Sequence, residues 1–210
     1  MRPSLFASMV VNLFLIVDPI GLMPLYAAIT RNNTTAERRR MIRRAIGIAF
    51  VVLAFFAVVG KYVLAYFSVS IAAVRIAGGI LLFAIGLEML YGRVSRTETT
   101  ETEEAEAAEK EDVSVTPLAI PLLAGPGGIA AAVLFAGTFE GIGGAMMVIV
   151  ALVIVMLASW LLLSLTDEML RVLGQIGVRV IARVMGLLLL FVATQFIVDG
   201  IRATGVMAGR

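Results

Sequence analysis

Two short runs concentrate the residues able to do chemistry. One is Asp18-Pro19-Ile20-Gly21, with Pro24 close behind; the other is Pro117 and Pro121 running into Gly125-Pro126-Gly127-Gly128. Both interrupt long apolar stretches. A proline inside a helix removes one amide donor and clashes with the preceding turn, at about 3 kcal/mol, and a glycine adds about 1 kcal/mol. In lipid the freed backbone groups find no water, so such a break must face protein or a polar cavity. A half-helix N-terminus there offers N–H groups and a positive dipole end to an anion, while carbonyl ends suit a cation. A zwitterion such as an amino acid matches that pair of environments. Gly21, Leu22, Gly127, Gly128 and Ile129 are the expected carboxylate donors, and Pro19, Ile20, Gly125 and Pro126 form the breaks.

Asp18 has two readings. It can cap the half-helix that follows, or, as an ionisable group at membrane depth, bind a coupling proton or the substrate ammonium. Asn12, about two turns earlier, reads as an interhelical hydrogen-bond partner or a wall of the site. Glu88, late in the third apolar stretch, and Gln195, late in the sixth, are further coupling candidates beside interfacial readings. Arg75 and Arg183 either snorkel to the interface or gate by pairing with a carboxylate from the other half.

The elements that must position these residues are membrane helices. The chain has 210 residues, 60% hydrophobic and 15% charged, against about 45–50% and 25% in a soluble domain. Six stretches approach the roughly 20 residues a bilayer requires: residues 5–29, 45–66, 71–91, 116–138, 145–165 and 178–198. The first is read as a span and not as a cleaved signal, because Asn12 and Asp18 interrupt it. The absence of cysteine and histidine removes thiolate chemistry, the commonest zinc ligand and the usual neutral-pH base. No metal, cofactor or nucleic-acid partner is expected. An intramembrane hydrolase would need a carboxylate dyad or a Ser–Lys pair; Lys61 reads as interfacial and Asp199 as near the outer face, far from Asp18 at the break, so an enzyme is not expected.

An internal repeat organises the six spans. Shifting by 108 residues lays Arg75, Gly78, Leu81, Leu82 and Phe83 on Arg183, Gly186, Leu189, Leu190 and Phe191; a shift of 107 lays Pro19 and Gly21 on Pro126 and Gly128. Three spans per repeat force the second copy to enter from the opposite side. The fold expected is therefore an all-α membrane protein of six helices in two inverted three-helix repeats, with helices 1 and 4 broken. Residues 1–92 form the first repeat, 93–115 an acidic cytoplasmic linker and 116–210 the second repeat. Paired interrupted segments in inverted halves point to a transporter's binding site. Gly78, Gly79, Gly86 and Gly186 read as close-packing positions, and Trp160 as structural. Counting Lys and Arg on each side gives twelve against five, which places the arginines of 38–44 in the cytoplasm and both termini outside. That cluster is read as a topology anchor, with anionic-lipid binding as the alternative.

The Asp18-Pro19-Ile20-Gly21 and Pro24 run, Thr116-Pro117-Leu118-Ala119-Ile120-Pro121 leading into Ala124-Gly125-Pro126-Gly127, and Arg183-Val184-Met185-Gly186 with Gln195-Phe196-Ile197-Val198-Asp199-Gly200-Ile201 together resemble the MarC family of prokaryotic inner-membrane proteins. The resemblance implies two inverted repeats with discontinuous first and fourth helices. Through the SnatA-type members it implies proton-driven transport of glycine and alanine, with Asp18, Pro19, Gly21, Gly125, Pro126 and Gly127 at the centre. Many members have asparagine where this chain has Asp18, which opens a titratable role here. The expectation is alternating-access transport of a small neutral amino acid, with a proton ahead of sodium as coupling ion, in a bilayer, with an oligomer left open. An exporter of drugs or other metabolites is the same-fold alternative, and a passive channel the alternative of another class.

Overall fold

The computed structural model describes residues 3–92, 112–137 and 142–205, and these are helical with short connections. The helices are α1 (Pro3–Val17), α2 (Leu22–Ile29), α3 (Thr35–Tyr66), α4 (Ile71–Tyr91), α5 (Ser114–Leu123), α6 (Pro126–Gly137), α7 (Ile142–Ser164) and α8 (Thr166–Ala203). Four of them are long and apolar enough to cross a bilayer on their own. The pairs α1–α2 and α5–α6 do so jointly, bent by 41° and 54°. The protein is a multi-pass, all-helical membrane protein with four to six spans. Most of the acidic linker lies outside the described residues.

The spans are cut for lipid on one face and for close packing on the other. Along α3, Ala45, Ala49, Leu53, Ala57 and Gly60 are buried at three- to four-residue spacing, while Val51, Phe55 and Tyr62 face outward. Small inward residues let backbones approach, which is what drives helix association where the hydrophobic effect is absent. Gly60 meets Val133 of α6, and Leu53 reaches within 3.4 Å of where a Cβ on Gly128 would be. Trp160 is exposed on α7.

Helices α4 and α8 run antiparallel along a glycine seam. Gly79 lies against Ala193 and Ile197, and Gly86 and Gly186 face each other with carbonyl contacts of 3.0 Å to the position of either missing Cβ. At one end Gly200 packs on Ala72, Arg75 and Ile76; at the other Gly92, the left-handed C-cap of α4, packs on the Arg183 guanidinium.

Two helices extend beyond the spans read from hydropathy. α3 begins ten residues earlier, because Thr34 and Glu37 form a capping box: the Thr34 hydroxyl accepts from the Glu37 amide and the Glu37 carboxylate accepts from the Thr34 amide. α8 begins at Thr166, with Asp167 and Glu168 in its first turn and Arg202 in its last, each matching the dipole. It is interrupted at Gly174, whose φ of 65° and ψ of 172° fall in a region essentially open to glycine alone.

Candidate functional site

The first break is built by one residue in an uncommon conformation. Asp18 has φ 43°, a left-handed geometry that Asp and Asn tolerate better than other side-chain-bearing residues. The turn brings its carboxylate back over the chain, where Oδ1 accepts from the Gly21 amide at 3.1 Å. The Asp18 carbonyl accepts from Leu22 at 3.2 Å, and its own amide donates to Phe14 at 3.0 Å. Asp18 thus bridges the end of α1 and the start of α2 from the turn before α2. Gly21 has no room for a side chain, since a Cβ there would collide with the Asp18 carboxylate.

The second break is longer and carries no charge. Residues preceding proline are pushed out of the α region, and Thr116 and Ile120 are accordingly extended, at φ −129° and −130°. Both following peptide bonds are cis. The hydrogen bonds of α5 span five residues, Leu118 to Val113 (3.2 Å) and Ala124 to Ala119 (2.8 Å). Helix α6 then starts at Pro126, with Gly127 and Gly128 buried in its first turn, where amides have no intrahelical acceptor. A Cβ on Gly127 would lie 2.7 Å from Leu82, 3.6 Å from Ile85 and 3.7 Å from Ile16. Ile16 is two residues before Asp18, so the end of α1 and the first turn of α6 are packed together.

The remaining predicted residues scatter. Pro19 is buried and Ile20 half-buried in the first break; Gly125 is buried, Pro126 exposed and Ile129 half-buried in the second. Asn12 is half-buried on α1, six residues or about 9 Å along the axis from Asp18. Gln195 is on the exposed side of α8, donating to Asp199 at 2.8 Å. Glu88 is half-buried in the last turn of α4, and its carbonyl accepts from the cap residue Gly92. Arg75 and Arg183 lie against Gly200 and Gly92 at opposite ends of the seam. Among the described residues, neither pairs with a carboxylate.

Two cavities flank the breaks. One, of about 430 Å³, is apolar and lies between the second break (Ile120, Pro121, Ala124, Pro126) and α3 (Phe56, Gly60). The other, of about 410 Å³, lies between α2 (Pro24, Ala27, Ala28) and α8 (Leu170, Gln175, Arg179). Asp18 lines neither.

A polar cluster absent from the expectations sits beside Tyr26 of α2. Arg38 donates through one Nη to both carboxylate oxygens of Asp167, at 2.8 and 3.0 Å. Its guanidinium stands 5.1 Å from the ring centroid of Tyr26, which is 1% exposed and donates from its hydroxyl to the Arg38 carbonyl at 3.4 Å. One arginine of the 38–44 cluster therefore ties α2 and α3 to α8. Asp167, an acid on the side read as positively charged, was the signal in the sequence. A second pair, Arg44–Asp112 at 2.8 Å, ties α3 to the segment before α5.

The description "MarC family integral membrane protein" fits a family model that matches residues 3–204. Among curated relatives, the UPF0056 membrane protein MJ0972 of Methanocaldococcus jannaschii is 37% identical over 191 residues, 91% of this chain and 84% of its own. YvbG of Bacillus subtilis is 34% identical over 95% of each chain, and YhcE of Escherichia coli 33% identical over 91% of this chain and 89% of its own. No solved structure matches. With matches spanning both breaks and the seam, the chain belongs to the MarC family of integral membrane proteins.

Proposed function

We propose that this protein is a secondary active transporter of small neutral amino acids of the glycine and alanine class, working by alternating access and coupled to protons. The observation that carries the reading is the apposition of two helix breaks from different halves of the chain, through the contact of Ile16 with Gly127. One break holds a carboxylate, suited to an ammonium or a proton; the other opens a helix with buried glycine amides, suited to a carboxylate. The ends of the seam support two inverted repeats: Arg183 and Gly200 stand 108 residues after Arg75 and Gly92, and each arginine packs on the other half's glycine. Such reciprocity is what an in-plane two-fold axis produces. The excess of Lys and Arg on one side supports a cytoplasmic membrane location with both termini outside.

Uptake of labelled glycine or alanine into proteoliposomes, with and without an imposed pH gradient, is the test. Saturable uptake accelerated by the gradient is expected; no saturable uptake of any small amino acid overturns the substrate claim. The apolar cavity of about 430 Å³ favours one second reading, export of larger apolar compounds, because drug-sized ligands occupy about 300–1,000 Å³. Counterflow with such compounds separates the two.

A further inference from the structure

We propose that Arg38 and Asp167 form a cytoplasmic gate on this site, hinged at Gly174, and that the cavity of about 410 Å³ is the vestibule the gate controls. The proposal rests on the transporter reading above and concerns its regulation. Three independent features meet here. The vestibule has one wall on α2 (Pro24, Ala27, Ala28), the eight-residue helix that starts directly after the Asp18 break and is about 12 Å long. It therefore reaches within two turns of the candidate site. Its other wall comes from both sides of Gly174: Leu170 before it, Gln175 and Arg179 after it.

The segment 166–173 is an arm between α7, which ends at Ser164, and the rest of α8, which it joins at that glycine. Gly174 interrupts the helix at φ 65°, and nothing stands within 4 Å of its missing Cβ, so the backbone is uncrowded at the joint, while Met169 and Leu170 of the arm pack on the core. Asp167 on this arm is held by Arg38, and Arg38 in turn lies on the buried Tyr26 of α2. Opening the ion pair removes the polar tie between the arm and α2, leaving apolar packing through Met169 and Leu170 that can adjust to widen the space between them. The pair suits a gate: Arg38 is 17% exposed and Asp167 53% exposed, so the bond biases an equilibrium without locking it. Arg44–Asp112 borders no part of this cavity and provides the control.

The absence of native cysteine makes the experiment clean. Ala27→Cys places one thiol in the vestibule, and its rate of labelling by a maleimide is followed on purified protein in nanodiscs. Arg38→Gln and Asp167→Asn should each raise the rate about fivefold, and the double variant should be no faster than either single, because both remove one interaction. Arg44→Gln should leave it unchanged. Unchanged rates in both single variants, or additive effects in the double, overturn the gate. Alanine uptake measured alongside separates the claims: intact uptake with unchanged labelling removes the gate alone, whereas no saturable uptake in the parent protein removes the transporter reading.

Discussion

At the first break the chain provides its own polar partner: Asp18 turns left-handed and its carboxylate takes the Gly21 amide. At the second, two prolines spread the turns of α5, and the helix that follows sets Gly127 against Leu82, Ile85 and Ile16 and Gly128 against Leu53, with no charged side chain in the run. The two breaks, which align in sequence at an offset of 107 residues, are thus finished with different chemistry. A carboxylate is the group suited to protons and cations, and the first-turn amides of a helix are suited to anions. Under the transporter reading proposed above, that asymmetry suits a zwitterionic substrate.

The comparison can be broken from either side. The largest effect is expected at the second break, where Gly127→Leu would drive a side chain into Leu82; overpacking of this kind costs roughly 1–3 kcal/mol, and thermal unfolding in detergent should fall accordingly with uptake lost. At the first break Asp18→Ala removes the acceptor for Gly21 and leaves alanine left-handed, at about 1–2 kcal/mol. Asp18→Asn keeps both the geometry and an acceptor, so stability should change by about 0.5 kcal/mol or less while the pH dependence of uptake disappears. Retained pH dependence would move the coupling role away from Asp18. Gly128→Ala, whose nearest neighbour is Leu53 at 3.4 Å, should cost well under about 1 kcal/mol; a loss as large as that of Gly127→Leu would show that shape at the two glycines is not distinguished.

The smallest effect lies outside both breaks, at Asp112. Ser114, whose amide donates to Oδ1 at 2.9 Å, and after it Arg44, hold the Asp112 carboxyl below the usual carboxylate range. A depressed folded pKa contributes stability that is present above the unfolded value of about 3.9 and is lost as pH falls through the folded one. Asp112→Asn should therefore differ from the parent protein at neutral pH by about 0.5 kcal/mol or less. The difference should vanish in acid; a difference that persists there would assign it to packing.

Much of this was legible in the residues, for identifiable reasons. Hydropathy marked the third span at residues 71–91, where it coincides with α4, and proline with glycine marked both bends. Hydropathy missed the first ten residues of α3 and the arm of α8, because polar helix outside lipid leaves no apolar signal; Thr34 with Glu37 was the local sign for the former. Asp18 was expected as the N-cap of the half-helix that follows, but Gly21 holds that position, and the left-handed turn at Asp18 places its carboxylate bond on the Gly21 amide before α2 begins. Arg75 and Arg183 were offered a gating role, and the structure sets them against glycines. The ion pairs that do join distant elements, Arg38–Asp167 and Arg44–Asp112, span 129 and 68 residues, and pairings that distant have no periodic trace in a sequence.

The seam between α4 and α8 restricts how the two halves can move. With Gly86 and Gly186 meeting backbone to backbone, sliding by one residue would push the neighbouring Cβ atoms into main chain, whereas tilting about the contact point keeps the glycines together. Tilting of that kind would make the seam a fulcrum, the motion that the transporter reading proposed above requires. The position of two missing methyl groups thus selects which relative motion of α4 and α8 the packing permits.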